Sequence, residues 1–254
     1  MSASDLRRHA GEYGVDGSFH RIPPPVQVGT LAAIVAGLMG FGASSLARGR
    51  WGRGAVAAGG AAVLAGTAAS YLHATRVGKF AVWADLLEGL HLRGDERLLD
   101  LGCGRGAVLL TAARLLPRGR AVGADLWEAD QTGNSAAATL RNAELEGVAG
   151  RVEVHTADMT SLPFEDASFD VVVSNLAIHT IRDGAGRRAA VEEAARVLRG
   201  GGRMLLADLA FTRGYATRLR ELGLVDVHRH SLGWRTWFGG PWFAARVVSA
   251  RRPG

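Results

Sequence analysis

The sequence predicts an α/β fold, a doubly wound, mostly parallel sheet of seven strands, preceded by an apolar helical hairpin. Three observations predict it. An apolar run at 97–101 breaks into glycines at 102, 104 and 106, and a helical pattern follows; strand, glycine turn and helix in that order open a nucleotide-binding α/β sheet. Downstream, β-branched runs alternate with helical stretches, which is how a parallel sheet with crossover helices reads. Upstream, two long stretches carry no charge at all.

In chain order, residues 1–25 are polar and punctuated by glycine and by Pro23, Pro24 and Pro25, so an irregular leader is expected. Residues 26–47 and 54–72 are uncharged, with Arg48, Arg50 and Arg53 between them. Either run is near the length that spans a bilayer. Small residues recur every fourth position, as Gly29, Ala33, Gly37 and as Ala58, Ala62, Gly66, Ser70, a spacing that lets two helices approach closely in lipid. Residues 26–72 are therefore expected to form a hairpin that anchors the chain to a membrane. A soluble Ala/Gly-rich hairpin, or one lying in the interface, has the same pattern. Two full spans would also place the three arginines outside, against the positive-inside tendency.

From Lys79 the character changes, and residues 73–254 are expected to form the catalytic domain. Phe80, Val82, Trp83, Leu86, Leu87 and Leu90 recur at helical spacing. Strands are expected at 97–101, 120–125, 151–156, 169–174, 203–208, 224–231 and 243–249. Helices are expected at 107–116, 134–146, 187–198 and 215–222.

The chain has 254 residues, of which 48% are hydrophobic, and a net charge of +6. That is enough for one α/β domain with an extension and is not the composition of a disordered chain. Lys79 is the sole lysine among 30 basic residues. The arginines are scattered and no nucleic-acid-binding module is visible, so no nucleic-acid partner is expected. The lone cysteine, Cys103, excludes an intramolecular disulfide and a cysteine-rich metal site; it reads as a small packed residue in the turn, with a reactive thiol as the alternative. No metal-ligand spacing is present.

The glycine turn by itself accommodates either a dinucleotide or another nucleoside ligand. Asp100 bears on the choice, because a carboxylate beside the turn repels a pyrophosphate and suits a ligand carrying cationic groups. Asp125, closing the second strand, has the position of an acid that accepts from ribose hydroxyls. Leu126 and Trp127 follow and are candidates to pack on a purine.

The run from Leu98 to Gly106 resembles the L-D-x-G-C-G-x-G first motif of class I S-adenosylmethionine-dependent methyltransferases. Asp158-Met159, Leu162-Pro163-Phe164 and Ser168-Phe169-Asp170-Val171-Val172 resemble the same family's later motifs. So does Ala195-Arg196-Val197-Leu198-Arg199-Gly200-Gly201-Gly202, with Gly200 where the family has proline. The resemblance spans about residues 79–249 and leaves out the hairpin. It implies a Rossmann-like methyltransferase with S-adenosylmethionine as cofactor, held by Asp100, Gly102, Gly104, Gly106, Asp125, Leu126, Asp158, Met159 and Asn175. It also implies that the helix starting at Lys79, with Phe80 and Trp83, covers the cofactor, and that the catalytic domain is cytoplasmic, where the cofactor is made.

The residues after the fourth strand, Ser174-Asn175-Leu176-Ala177, lack the N-P-P-Y type of motif found in relatives that methylate bases or glutamine. That favours the branch acting on small molecules, quinones and lipids included. If the acceptor must lose a proton, His179 is the candidate base, with His73 and Asp208 as alternatives. Trp234, Trp237, Phe238, Trp242 and Phe243 could roof an apolar acceptor site, lie at a membrane interface or pack between the last strands. Two other readings fit parts of the pattern: a nicotinamide-dependent oxidoreductase, for which no Tyr-Lys pair is recognisable, and a non-catalytic membrane module that binds the cofactor.

Overall fold

A computed structural model describes residues 3–17, 24–128 and 133–254. The rest of the expected 1–25 leader lies outside the described residues. The core is a seven-stranded sheet ordered β3-β2-β1-β4-β5-β7-β6. Its strands are β1 (Arg97–Leu101), β2 (Arg120–Asp125), β3 (Val152–Thr156), β4 (Phe169–Asn175), β5 (Leu198–Asp208), β6 (Val225–Ser231) and β7 (Arg246–Arg251). All pairs are parallel except those made by β7, which runs antiparallel between β5 and β6. The strand order reverses between β1 and β4, and ligands of open α/β sheets sit at such a switch point, beyond the carboxyl ends of the strands.

Alternation along the strands sends side chains to two buried layers. Leu99, Leu101, Val122 and Val172 join one layer with Ala190, Val191 and Leu219. Leu98, Val171, Val173 and Leu205 join the other with Trp83, Leu87, Leu109 and Leu110. The helices are α1 (Ala3–Leu6), α2 (Pro24–Ala47), α3 (Trp51–His73), α4 (Lys79–Gly89), α5 (Ala107–Arg114), α6 (Ala136–Leu145), α7 (Gly184–Val197) and α8 (Thr212–Glu221). Caps fix several of them: Ser135 accepts from the Ala138 amide at α6, and Asp183 from Gly186 at α7.

The main departure from the expected boundaries is β5, which starts five residues early. The glycines at 200–202 were expected as a turn closing the helix. Instead α7 ends at Val197 and the glycine segment is already extended strand, with Gly201 at φ +76°. A Cβ on Gly202 would stand 2.8 Å from the Arg199 carbonyl and 3.0 Å from that of Asp170. The segment needs glycine for that close approach, whichever residue precedes it.

Residues 3–17 are mostly irregular yet firmly held to the α4, α5 and α6 surface. The Glu146 carboxylate accepts from the amides of Ala10 and Gly11 and from the Tyr13 hydroxyl. Asn142 of α6 exchanges two hydrogen bonds with the Glu12 backbone. Leu6 and Tyr13 are buried.

α2 and α3 pack as a hairpin through small residues, Gly54 and Ala57 against Gly42 and Leu46. Its outer face is apolar and open: Ile34, Met39, Phe41, Val56 and Val63 are exposed. α3 does not stop at the catalytic domain. It continues through a single π-helical turn, Ala74–Gly78, into α4, so hairpin and sheet share one helix. The segment after β6 docks on that junction. Arg235 pairs with Asp85 at 2.8 Å, Ser70 Oγ donates to the Trp237 carbonyl at 2.6 Å, and a Cβ at Gly78 would collide with the Arg235 carbonyl at 1.7 Å.

Because that last contact is backbone on backbone, Gly78→Ala is expected to push the 234–243 segment off the helix and destabilise the protein by about 1–3 kcal/mol, as overpacking does. Thermal unfolding of the full chain measures it, and Gly89→Ala, where nothing lies within 4 Å of the added carbon, is the control.

Candidate functional site

The sheet's carboxyl edge carries two adjoining cavities. One, of about 370 Å³, is walled by Asp100, Gly104, Asn175, His179, Lys79 and Phe238, among others. The second, of about 470 Å³, is walled by Leu126, Asp158, Met159 and Thr160. They share Gly102, Asp125, Ala177 and Thr180, so they form one groove across the switch point. Nearly every residue expected to hold a nucleoside ligand meets here.

The floor is the glycine turn. Gly102, Gly104 and Gly106 all have positive φ, at +69°, +51° and +87°, where a side chain is strained. Space makes the same demand at Gly102, since a Cβ there would lie 2.2 Å from that of Ala177. Gly106 differs from the other two because it does not line the groove. It caps α5 at its N-terminus and is packed against Leu110 and Thr139, so it aims the helix.

Asp125 holds the turn in place. Its Oδ2 accepts from the Gly104 amide at 2.8 Å, and its Oδ1 accepts from the Trp127 amide at 2.6 Å and the Asn134 side chain at 3.3 Å. Thr139 and Asn142 of α6 support the same turn from behind, donating to the carbonyls of Gly104 and Arg105. Neither was singled out in the sequence, where each is one polar residue on an amphipathic helix.

Asp100 is buried, and among the described residues the Leu109 amide is the one backbone donor that bears on its carboxyl; no side chain bonds either oxygen. Burial pushes its carboxyl well above the usual carboxylate range; the charge on Asp125 adds to this, and the Leu109 backbone amide offsets it only in part. A buried acid left without a side-chain partner in a native cavity marks a place for a ligand, and an ammonium group supplies the missing charge. Cys103 lies behind it, against Gly123. Burial and then the charges of Asp100 and Asp125 push its thiol up, so it is a packed thiol and not a nucleophile.

At the second cavity, Asp158 is exposed and accepts from the Thr160 amide and hydroxyl at 2.8 Å. Leu126 lines this cavity, whereas Trp127 turns away and donates its indole N–H to Thr156 Oγ1 at 2.7 Å. Asn175 Oδ1 accepts from the Trp83 indole at 2.8 Å, which fixes α4 against the end of β4. Leu176, next in the chain, is held at φ +57°, a strained geometry for a branched side chain and typical of ligand edges.

His179 faces the first cavity in a 3-10 turn, Ile178–Thr180. Its Nδ1 stands 2.5 Å from Asp208 Oδ1. Asp208 Oδ2 in turn accepts from the His179 amide at 2.9 Å and the Tyr215 hydroxyl at 3.2 Å. Asp208, weighed as an alternative base, is therefore the partner that orients His179. His73 stacks on Trp234 with ring centroids 5.0 Å apart and is not part of the cavity wall.

The cavity also has walls that the motifs did not announce. Asp16 and Gly17 of the leader, and Tyr71 of α3, line it beside Lys79. Lys79 Nζ lies 2.8 and 3.1 Å from the two Asp16 oxygens, and Thr75 donates to the same carboxylate.

Asp100 is costly to the empty protein. Its folded pKa exceeds the unfolded value of about 3.9, so stability is lost as the pH climbs from there through the raised value. Asp100→Asn is expected to raise the melting temperature at neutral pH, with the gain vanishing in acid, while weakening S-adenosylmethionine at least about tenfold by removing a charge-assisted contact. Calorimetry in buffers of different ionisation enthalpy is expected to show more proton release when a cationic ligand binds wild type than when it binds the variant.

Residues 99–206 match a family described as "Methyltransferase domain". Among curated relatives, the 27-O-demethylrifamycin SV methyltransferase of Amycolatopsis mediterranei is 35% identical over 55% of this chain and 50% of its own. The ubiquinone/menaquinone biosynthesis C-methyltransferase UbiE of Dinoroseobacter shibae is 32% identical over 52% and 50%. The chain thus spans about half the length of the curated relatives it matches. Among solved structures, a geranyl diphosphate methyltransferase in complex with geranyl diphosphate and sinefungin superposes with a TM-score of 0.55 at 19% identity, over 68% of this chain and 77% of that one. The [4+2]-cyclase SpnF superposes with a TM-score of 0.57 at 20% identity, over 69% and 82%, so the fold alone does not choose a reaction. The sheet order, the acid-flanked glycine turn and the match over residues 99–206 together make this chain similar to the class I S-adenosylmethionine-dependent methyltransferases.

Proposed function

We propose that the chain transfers a methyl group from S-adenosylmethionine to a small, apolar acceptor, and that its hairpin holds it at a membrane with the catalytic domain on the cytoplasmic side. Buried beside the glycine turn with no side-chain partner, Asp100 carries the cofactor reading. It disfavours the pyrophosphate of a nicotinamide dinucleotide and suits the ammonium of a methionine moiety. In this reading Asp125 receives the ribose hydroxyls, and Asp158 and Met159 the adenine edge and face; their positions on one groove support it.

When bound, S-adenosylmethionine supplies an electrophilic methyl on a sulfonium. The protein's work is then position and electrostatics. Asp208 Oδ1 stands 2.5 Å from His179 Nδ1, which favours the neutral tautomer with its proton on Nδ1 and the lone pair on Nε2. His179 Nε2 would accept the proton that the acceptor's nucleophile loses on methylation. Burial and the Asp208 charge push the Tyr215 phenol up, so Tyr215 stays a donor and keeps Asp208 in place.

The small-molecule acceptor is supported by relatives named for rifamycin, quinone and sterol methylation and by Phe238 and Phe243 on the cavity wall. The membrane reading is supported by two helices of mean hydropathy 1.7 and 1.5, long enough to cross and only 11% buried.

Titration calorimetry is expected to show binding of S-adenosylmethionine and none of NAD; the reverse result refutes the proposal. With labelled cofactor and a membrane extract as acceptor source, His179→Gln is expected to lower methyl transfer by about 100-fold or more, the range of a general base, with cofactor affinity unchanged. Asp208→Asn is expected to reduce turnover by a smaller factor and to change its pH profile, which a purely structural role would not do.

A further inference from the structure

Residues 236–245 form an uncharged stretch, Thr-Trp-Phe-Gly-Gly-Pro-Trp-Phe-Ala-Ala, bounded by Arg235 and Arg246. A half-buried aromatic loop normally turns its rings inward. Here Trp242 is 69% exposed, Phe243 57% and, just upstream, Trp234 62%. Contiguous apolar exposure of this kind marks a surface that meets something apolar.

Its position says what. The loop lies along the last two turns of α3. Gly239 approaches Thr67, with 3.4 Å between an added Cβ and the threonine methyl; Ser70 bonds the Trp237 carbonyl; Tyr71 meets Phe238 edge-to-face with centroids 6.2 Å apart. The uncharged run containing these residues, 54–72, is about 28 Å long at 1.5 Å per residue, close to the hydrocarbon thickness of a bilayer. Thr67 lies about 7.5 Å inside its end by the same rise. When the hairpin spans, the loop tip therefore lies on the acyl side of the headgroup boundary, within about 7.5 Å of it. Tryptophan is enriched at that depth, and exposed Arg76 and the flanking arginines lie where headgroups are.

Phe243 adds a second observation. The ring is more than half exposed and also lines the methyl-transfer cavity, together with Phe238 and Tyr71. The same aromatic wall thus has one side toward the bilayer and the other toward His179.

We infer that residues 236–245 are an interfacial wedge that seats in the headgroup boundary beside α3 and opens the acceptor end of the cavity to molecules dissolved in the bilayer. The inference rests on the membrane reading of the hairpin. The occupant is lipid, and the acceptor class is a lipid-soluble molecule that need not leave the membrane completely to be methylated.

The test uses the full chain in phosphatidylcholine–phosphatidylglycerol vesicles. Trp242→Cys and Phe243→Cys are each labelled with an NBD fluorophore, and Ile34→Cys, in the middle of α2, reports on the hairpin separately. Cys103 is buried, and the unsubstituted protein shows whether it takes label. The expected result at 242 and 243 is a blue shift and loss of most of the emission with doxyl groups near the headgroup, and less loss with doxyl groups deep in the chains; Ile34 is expected to show the reverse depth order. Quenching at 34 without quenching at either 242 or 243 overturns the wedge and leaves the hairpin standing. No quenching at any position overturns both. A blue shift at 242 and 243 without lipid quenching means that a protein surface, such as a second copy, covers the loop, and also overturns the inference. Two wedge positions are used so that a substitution that spoils folding at one leaves the other to decide.

Discussion

The Asp125 carboxylate is the tie on which the working edge of the sheet depends. It ends β2, yet it accepts from the Gly104 amide in the turn after β1 and from the Trp127 amide that follows β2. Without it the three positive-φ glycines would have little to choose one conformation, because glycine gains its freedom at the expense of order. With the turn fixed, Gly102 can lie against Ala177 where no side chain would fit, and the loops after β1 and β4 form one surface. Asp100 follows from that closure. It is buried at the cavity wall, with no side chain bonding its oxygens, a cost that a cationic ligand would offset.

A second constraint couples the hairpin to this edge. A flexible linker between an anchor and an enzyme would leave their orientation open. Here α3 becomes α4 through five π-helical residues, and α4 carries both Lys79 on the cavity wall and Trp83, which bonds Asn175 at the end of β4. π-turns concentrate at functional sites. In this chain the extra residue per turn falls where Gly78 must meet the Arg235 carbonyl, at the meeting point of helix, aromatic loop and leader. Whatever sets the depth and tilt of α3 therefore also sets the attitude of the cavity.

Much of the sheet was legible because its signals are local and strong. RLLDL, RAVGAD and FDVVVS are largely buried runs, the first followed by Gly102, the second ending in Asp125 and the third followed by Asn175, and β1, β2 and β4 lie where those runs place them. β5 began earlier than expected because three glycines read as a turn in sequence, whereas close backbone neighbours make the same glycines necessary in an extended strand. The groove was legible as far as a residue's place follows from its position near a strand end: Asp100, Asp125, Asp158 and Asn175 all line it. Roles that depend on another element were not. Nothing local says that Gly106 aims a helix, that Trp127 turns to Thr156, or that Asp208 orients His179 from the neighbouring strand's end.

Lys79 shows where such a signal can hide. It is the one lysine in a chain that otherwise uses arginine for every basic position, which is a compositional oddity before it is a structural one. The structure places it buried at the start of α4, with its ammonium between the two oxygens of Asp16 and with Thr75 on the same carboxylate. A compact ammonium with three rotatable donors fits that enclosed corner; a planar guanidinium needs room for a fork and five donors satisfied. The pair joins the leader to the helix that leaves the hairpin, so a segment that reads as an irregular tail becomes part of the cavity wall. The choice of lysine is then explained by volume and donor count. It also shows that one end of the cavity is built from segments outside the motifs shared with methyltransferases, so those motifs say little about what that end receives.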